Sequence, residues 1–278
     1  LQRPPTLTDV AHYVEIPELG REVAATGRIG PAKTREVIAA LTSVIERARA
    51  HGYSELVAGA TAAVRLASDR DEFLAAASAA IGTPVRLIGE AREAELSFDG
   101  VASRHASRRT WLMADVGGGS TELVVGSGSR LERWASLPLG SGSLAARHLS
   151  DPPRRGEREA LRAAAVAEVG AAPECDTNRL VVTGGTAANL AFVLSRLRPP
   201  TVLTVAALLA AAERLDSAPA IDVAARVGLP EPVVRALRGG VELLLLLLDF
   251  YGMGQFHVSH AGLRHGMLLA RLESDRWW

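Results

Sequence analysis

Cysteine is nearly absent from this chain. Among 278 residues only Cys175 carries a thiol, which excludes an internal disulfide and any cysteine-based metal cluster and fits a reducing cytoplasm. Its sequence neighbours are Glu174 and Asp176, so no adjacent base activates it. An excess of either charge is also missing, since Lys plus Arg and Asp plus Glu both number 31. With no global basic field, a nucleic-acid polymer is not an expected partner, and any anionic ligand has to be held by local groups. Long apolar runs are lacking as well. The longest, "VELLLLLLDFYG" (241–252), contains Glu242 and Asp249 and falls short of the roughly 20 apolar residues that cross a bilayer. It reads as a buried helix, one that would contribute to a homodimer contact if it were exposed. No signal-peptide pattern opens the sequence, and neither a membrane partner nor a non-cytoplasmic location is expected.

What is present is the composition of a soluble globular protein of one or two domains: 48% hydrophobic and 22% charged residues, with a mean hydropathy of +0.13. Residues 31–52 place Val37, Ile38, Leu41, Val44, Ile45 and Ala48 on one face, a pattern that predicts an amphipathic helix closed by Gly52. The apolar stretch 55–61 reads as a buried strand, and Ser68 with Asp71 opens a second helix with an acidic first turn. Residues 84–89 are strand-like and 90–100 helical. Strands at 111–115 and 121–126 flank "GGGS", and 179–194 reads as strand, Thr-Gly-Gly-Thr, then helix. After Pro199-Pro200 the pattern is helical until a last strand near 255–260. This alternation predicts an α/β architecture with a largely parallel sheet.

Two glycine-rich turns, "DVGGGST" and "TGGTA", stand at predicted strand ends, where open α/β sheets place ligands. Backbone N–H groups freed by glycine can surround a phosphate, and Ser and Thr hydroxyls add donors. Each turn alone is a weak signal, since a lone GGGS is more often just a tight turn than a binding loop. Asp115 precedes the glycines and Glu122 follows them, so a hairpin brings both carboxylates near the turn. Beside a phosphate they would repel it unless a cation bridges them, and Mg2+ suits one or two carboxylates plus phosphate oxygens; two solvated acids at a turn is the alternative. Arg65, just past a strand end, suits a bidentate phosphate clamp or a surface ion pair. Arg104, His105, Arg108 and Arg109, and also Arg154 and Arg155, are candidate basic groups for a polyanion or else solvated loops. His105, His257, His260 and His265 show no metal-ligand spacing and read as structural.

Six ordered motifs, "ATAAVRLASDRDEFL", "REAELSFDGV", "DVGGGSTELVVG", "LPLGSGSL", "VVTGGTAANLA" and "VSHAGLRHGMLL", strongly resemble the exopolyphosphatase and guanosine pentaphosphate phosphohydrolase family (Ppx/GppA) from about residue 24 to 270. The resemblance implies the actin-like ATPase superfamily: two RNase H-like domains with a cleft, here residues 1–108 plus 264–278 and residues 109–263. It also implies Mg2+-dependent removal of terminal phosphate from inorganic polyphosphate or from pppGpp. By resemblance Glu93 is the catalytic glutamate that activates water, and Asp115 and Glu122 hold metal and water. Gly117, Gly118, Gly119 and Ser120 form one phosphate loop, Thr183, Gly184, Gly185 and Thr186 a second, and Arg65 contacts phosphate. The family's first phosphate loop, of the form Asp-x-Gly-Ser/Thr-Asn-Ser, has no match in residues 1–20. The expectation is that about 20–25 residues, two average strands and a turn, precede Leu1; a degenerate member is the other option. Longer members carry additional C-terminal domains, so a preference for short polyphosphate chains is expected here. The alternatives are a pppGpp 5′-phosphohydrolase, a catalytically silent polyphosphate or alarmone sensor, and a sugar or acetate kinase-like relative. The last is disfavoured because Glu93 and the Ser-Thr-Glu triplet suit water activation.

Overall fold

The computed structural model describes residues 7–154 and 156–273. Packing separates the described chain into two units, one running through Glu93 and the other starting at Ala94. The resemblance sets the boundary later, at 108, and returns 264–278 to the first domain; residues 1–6 and 274–278 of that assignment lie outside the described residues.

The first unit begins with α1 (Leu19–Thr26) and α2 (Gly30–Arg49). Of the face expected on α2, Val37 and Ile45 are buried. Its N-terminus is capped from a distance: the Asp69 carboxylate accepts hydrogen bonds from the Ile29 and Gly30 N–H groups at 2.8 Å each, and those bonds hold the carboxyl below its usual range. Strand β1 (Ala58–Ala60), α3 (Ala62–Leu66), α4 (Arg70–Ile81) and β2 (Val85–Leu87) follow, with β1 and β2 paired in parallel. Val23, Ile29, Val37, Ala60, Val64, Phe73 and Ala77 form the unit's own apolar core. Helix α5 (Glu90–His105) begins in this unit and continues into the second.

The second unit is built on a six-stranded sheet. Its strands are β3 (Ser107–Val116), β4 (Thr121–Gly128), β5 (Arg130–Leu137), β6 (Leu180–Thr183), β7 (Val202–Thr204) and β8 (Gln255–Val258). The order is β5-β4-β3-β6-β8-β7; β3, β6 and β8 are parallel, while β4, β5 and β7 join antiparallel. The largely parallel sheet read from the sequence is therefore a mixed one. Two tight turns, at Gly117–Ser120 and at Ser129, fold β3, β4 and β5 into a meander, whereas parallel neighbours need long crossovers. Both β5 and β7 escape the sequence reading because each is an edge strand: β5 opens with three charges in four residues, Arg130, Glu132 and Arg133, and β7 is three residues long.

Helices cover both faces. Toward one face α5 lays Phe98, Val101 and Ala102 against Trp111, Met113, Val124 and Val181. Against the other pack α6 (Ser141–His148), α7 (Glu157–Val169), α8 (Gly185–Leu194), α9 (Val205–Asp216), α10 (Ala220–Val227) and α11 (Glu231–Phe250), over Leu112, Ala114, Leu123, Val125 and Val182. The last helix is α12 (Leu263–Glu273).

Helix α11 carries the long leucine run, and Val241–Leu248 are buried. It offers no exposed apolar face, so the dimer contact that depended on exposure has no basis there. Its two buried charges, Arg238 and Glu242, are matched. Glu242 accepts from Arg158 and Arg162, and Arg238 donates to Asp151 at 2.7 Å and to the Leu215 and Ala218 carbonyls. Among the described residues no helix is long and apolar enough to cross a membrane.

Candidate functional site

Register places the acids. On the antiparallel pair β3–β4, Asp115 lies directly opposite Glu122, and on the parallel pair β3–β6 it lies opposite Thr183. On β5, Ser136 pairs with Glu122. Cross-strand partners point to the same side of a sheet, so Ser136, Glu122, Asp115 and Thr183 form one polar row. The row runs across four strands on the face that also carries Trp111 and Met113. It lies at the C-terminal ends of β3 and β6, where the two glycine turns begin.

Each member of the row has a partner. Ser97 of α5 donates to Asp115 Oδ2 at 2.6 Å, Ser136 donates to Glu122 Oε1 at 3.1 Å, and Thr183 donates to the Ala261 carbonyl at 2.7 Å. Glu122 is buried, 2% exposed. Burial pushes the Asp115 carboxyl above its usual range, offset only in part by the Ser97 hydrogen bond and the charge of Arg264. Among the described residues no group of three or more His, Cys, Asp or Glu side chains could hold a metal. Two carboxylates remain, and a paired oxygen-donor set of that size suits Mg2+, which keeps several waters and completes its shell with phosphate oxygens.

The first turn is closed by Gly117 N–H donating to the Ser120 carbonyl at 3.0 Å. Gly118 and Gly119 are exposed, and among the described residues their N–H groups donate to no acceptor. Ser120 is half-buried. The second turn passes from β6 into the N-terminus of α8, where Gly184 stands at φ +92°. Its threonines differ from the sequence expectation in what their hydroxyls do: Thr183 donates to Ala261, and Thr186 donates to Ser141 Oγ at 3.1 Å. An anion at this turn would depend on the N–H groups of the α8 N-terminus.

In the first unit the structure joins two residues that the sequence named separately. Arg65 Nη1 donates to Glu93 Oε2 at 2.5 Å and to the Ile88 carbonyl at 2.8 Å, with Glu90 3.9 Å from Nη2. Glu93 lies in the first turn of α5 and is 7% exposed. The guanidinium thus fixes the carboxylate in place.

The basic stretch is elsewhere. Arg104 and His105 end α5, and Arg108 and Arg109 sit at the start of β3. From Ser107 to Asp115 the strand rises roughly 26 Å at about 3.3 Å per residue, so these groups stand at the far end of the sheet from the glycine turns. His105 is held below the usual imidazole range by burial and by Arg179, His257, Arg104 and His260. Arg154 precedes α7, and Arg155 lies outside the described residues. Sequence reasoning missed Ser97, Ser136 and Ser141. A serine one helical turn or one strand away from an acid leaves no pattern of its own; only the Gly-Ser alternation around Ser141 was a visible signal.

A family model described as the Ppx/GppA phosphatase family matches residues 2–275. Among solved structures, the PPX-GPPA enzyme of Aquifex aeolicus is similar at 25% identity, with 92% of this chain and 88% of that one covered and a TM-score of 0.75. An exopolyphosphatase from Cytophaga hutchinsonii is similar in fold at 21% identity, covering 92% and 86%, with a TM-score of 0.81. An exopolyphosphatase-like protein gives 22%, 94% and 89%, and 0.82.

Proposed function

This chain belongs to the Ppx/GppA phosphatase family, and from that premise we propose that it is an Mg2+-dependent exopolyphosphatase, releasing terminal phosphate from inorganic polyphosphate with a preference for short chains. Membership supports a phosphohydrolase acting on polyphosphate- or alarmone-type substrates. The observation that carries the finer reading is the Asp115–Glu122 pair, level on one sheet face at the base of a turn whose exposed Gly118 and Gly119 donate to no acceptor among the described residues. The same proposal includes a cytoplasmic location and the two RNase H-like domains of the actin-like superfamily, residues 1–108 plus 264–278 and 109–263.

In this reading Asp115 and Glu122 hold Mg2+, which when bound neutralises charge on the phosphate oxygens. Gly117–Ser120 cradle the terminal phosphate through N–H groups and the Ser120 hydroxyl, and Thr183–Thr186 hold the anhydride through the α8 N-terminus. Glu93 takes the proton from water as its oxygen bonds to the terminal phosphorus and the anhydride P–O bond breaks. Arg65 keeps Glu93 oriented and contacts phosphate, and Glu122 also orients the water.

The test is phosphate release by the purified protein with Mg2+ from short polyphosphate, long polyphosphate and pppGpp. Release is expected from short chains first, with shortened intermediates accumulating from long ones. Release from pppGpp alone would move the assignment to the alarmone. Tight binding of either compound with no release would make the protein a sensor.

The raised carboxyl of Asp115 yields a second expectation. Because folding raises its pKa, the group contributes stability that is complete below the carboxylate's unfolded pKa and is lost as pH rises through the folded one. Near neutral pH and without Mg2+, the Asp115→Asn variant is expected to melt a few degrees above the wild type. Mg2+ should raise the wild-type melting temperature and leave the variant's unchanged. Equal Mg2+ shifts in both proteins would remove Asp115 from the metal site.

A further inference from the structure

The segment "GSGS" (140–143) supplies the N-cap and first three residues of α6 and has no role in the chemistry above. Its contacts are with the first glycine turn. Ser141 N–H donates to the Gly117 carbonyl and Ser143 N–H to the Gly118 carbonyl, each at 2.9 Å, and Ser141 Oγ adds a second bond to the Gly117 carbonyl at 3.1 Å. Gly140 permits the approach, because a Cβ there would stand 2.3 Å from Gly118 C and Gly119 N.

The consequence follows from peptide planarity. In a trans peptide the C=O and the N–H of the next residue point in opposite directions. Two carbonyls drawn toward α6 therefore turn the Gly118 and Gly119 N–H groups away from it, in agreement with the exposure of both residues. Hydrogen bonding to a carbonyl also polarises its peptide and strengthens the opposite N–H as a donor.

Ser141 then reaches the second turn. Thr186 Oγ1 donates to Ser141 Oγ at 3.1 Å, giving an ordered chain of donation from Thr186 to Ser141 to the Gly117 carbonyl. Ser141 and Thr186 are 4% and 5% exposed, so water does not readily substitute for either partner. The chain is closed from behind by α11: a Cβ at Gly240 would meet Thr186 Cγ2 at 2.4 Å and Ser141 Cβ at 3.2 Å.

We propose that Ser141 is a positioning residue that sets the two glycine turns relative to each other, orienting the Gly118 N–H outward while fixing Thr186 at the α8 N-terminus. It touches no reacting atom. This inference rests on the phosphohydrolase reading for its catalytic effect but not for its structural one.

Ser141→Ala keeps the backbone bond to Gly117 and removes both hydroxyl bonds; Thr186→Val keeps shape and removes one. Each variant is expected to lower kcat by about tenfold with KM changed by less than about threefold, and the double variant should be no slower than the slower single one. Hydrogen exchange supplies a readout independent of activity. In Ser141→Ala, amides of both 117–120 and 184–187 should exchange about tenfold faster or more, whereas peptides from the first unit should be unchanged. Faster exchange at 117–120 alone, or kcat losses that multiply in the double variant, would overturn the coupling. If the wild type releases no phosphate, the proposed function fails while the exchange result still decides the coupling. If release is normal and exchange at 184–187 is unaltered, the coupling fails and the function stands.

Discussion

Glu93→Gln is expected to slow phosphate release by about a thousandfold while substrate affinity stays within about twofold, in line with the roughly 10²–10⁴-fold contribution of general base catalysis. Glutamine has the same shape and can still accept from Arg65 Nη1, so the first turn of α5 and the Ile88 contact of the guanidinium are retained. What is lost is the capacity to take a proton. The variant separates two roles for a buried carboxylate. A glutamate present only to balance Arg65 would, when neutralised, alter stability and leave turnover of the folded enzyme largely intact. A variant retaining more than about a tenth of wild-type turnover would remove Glu93 from the chemistry. A companion change, Arg65→Ala, leaves the base ionisable but unheld and is expected to be the milder of the two in kcat.

Gly184→Ala is expected to cost about 3 kcal/mol of stability or more, through two effects that add. At φ +92° and ψ 168° the backbone occupies a region that L side chains rarely enter, a penalty of about 1–3 kcal/mol. The methyl group would also stand 2.7 Å from the Val116 carbonyl oxygen and 2.9 Å from Asp115 Oδ1, an overpacking that costs about 1–3 kcal/mol more when backbone must shift. Since the second clash falls on Asp115 itself, whatever variant folds should bind Mg2+ more weakly. Urea denaturation gives the first quantity and Mg2+ titration of the folded protein the second. A variant of wild-type stability and Mg2+ response would show that the β6–α8 turn is looser than its geometry implies.

The parts of the fold legible in the sequence were those where one face is buried and the other is not. Val37 and Ile45 on α2 obey the helical period, and the apolar runs of β3, β4 and β6 announce strands covered on both sides. The antiparallel direction of β4 was legible, since a turn as short as 117–120 permits only a hairpin, whereas the antiparallel edge strands β5 and β7 went unread and with them the mixed character of the sheet. In the site, the pairing of Asp115 with Glu122 followed from the hairpin. Level placement with Thr183 needed a parallel register that sequence does not encode locally. The Arg65–Glu93 contact spans 28 residues and emerges only when β1 and β2 pair. The threonine hydroxyls of the second turn were read as phosphate donors, yet both donate to protein acceptors, the Ala261 carbonyl and Ser141 Oγ, which come from segments distant in sequence.

The most direct measurement is hydrolysis of short polyphosphate in 18O-labelled water with Mg2+, followed by mass analysis of the products. Attack of water on the terminal phosphorus places one labelled oxygen in each released phosphate and none in the shortened chain. Label in the remaining chain, or release of phosphate without label, would contradict the assignment of a water-activating glutamate acting on a phosphate held at the glycine turns.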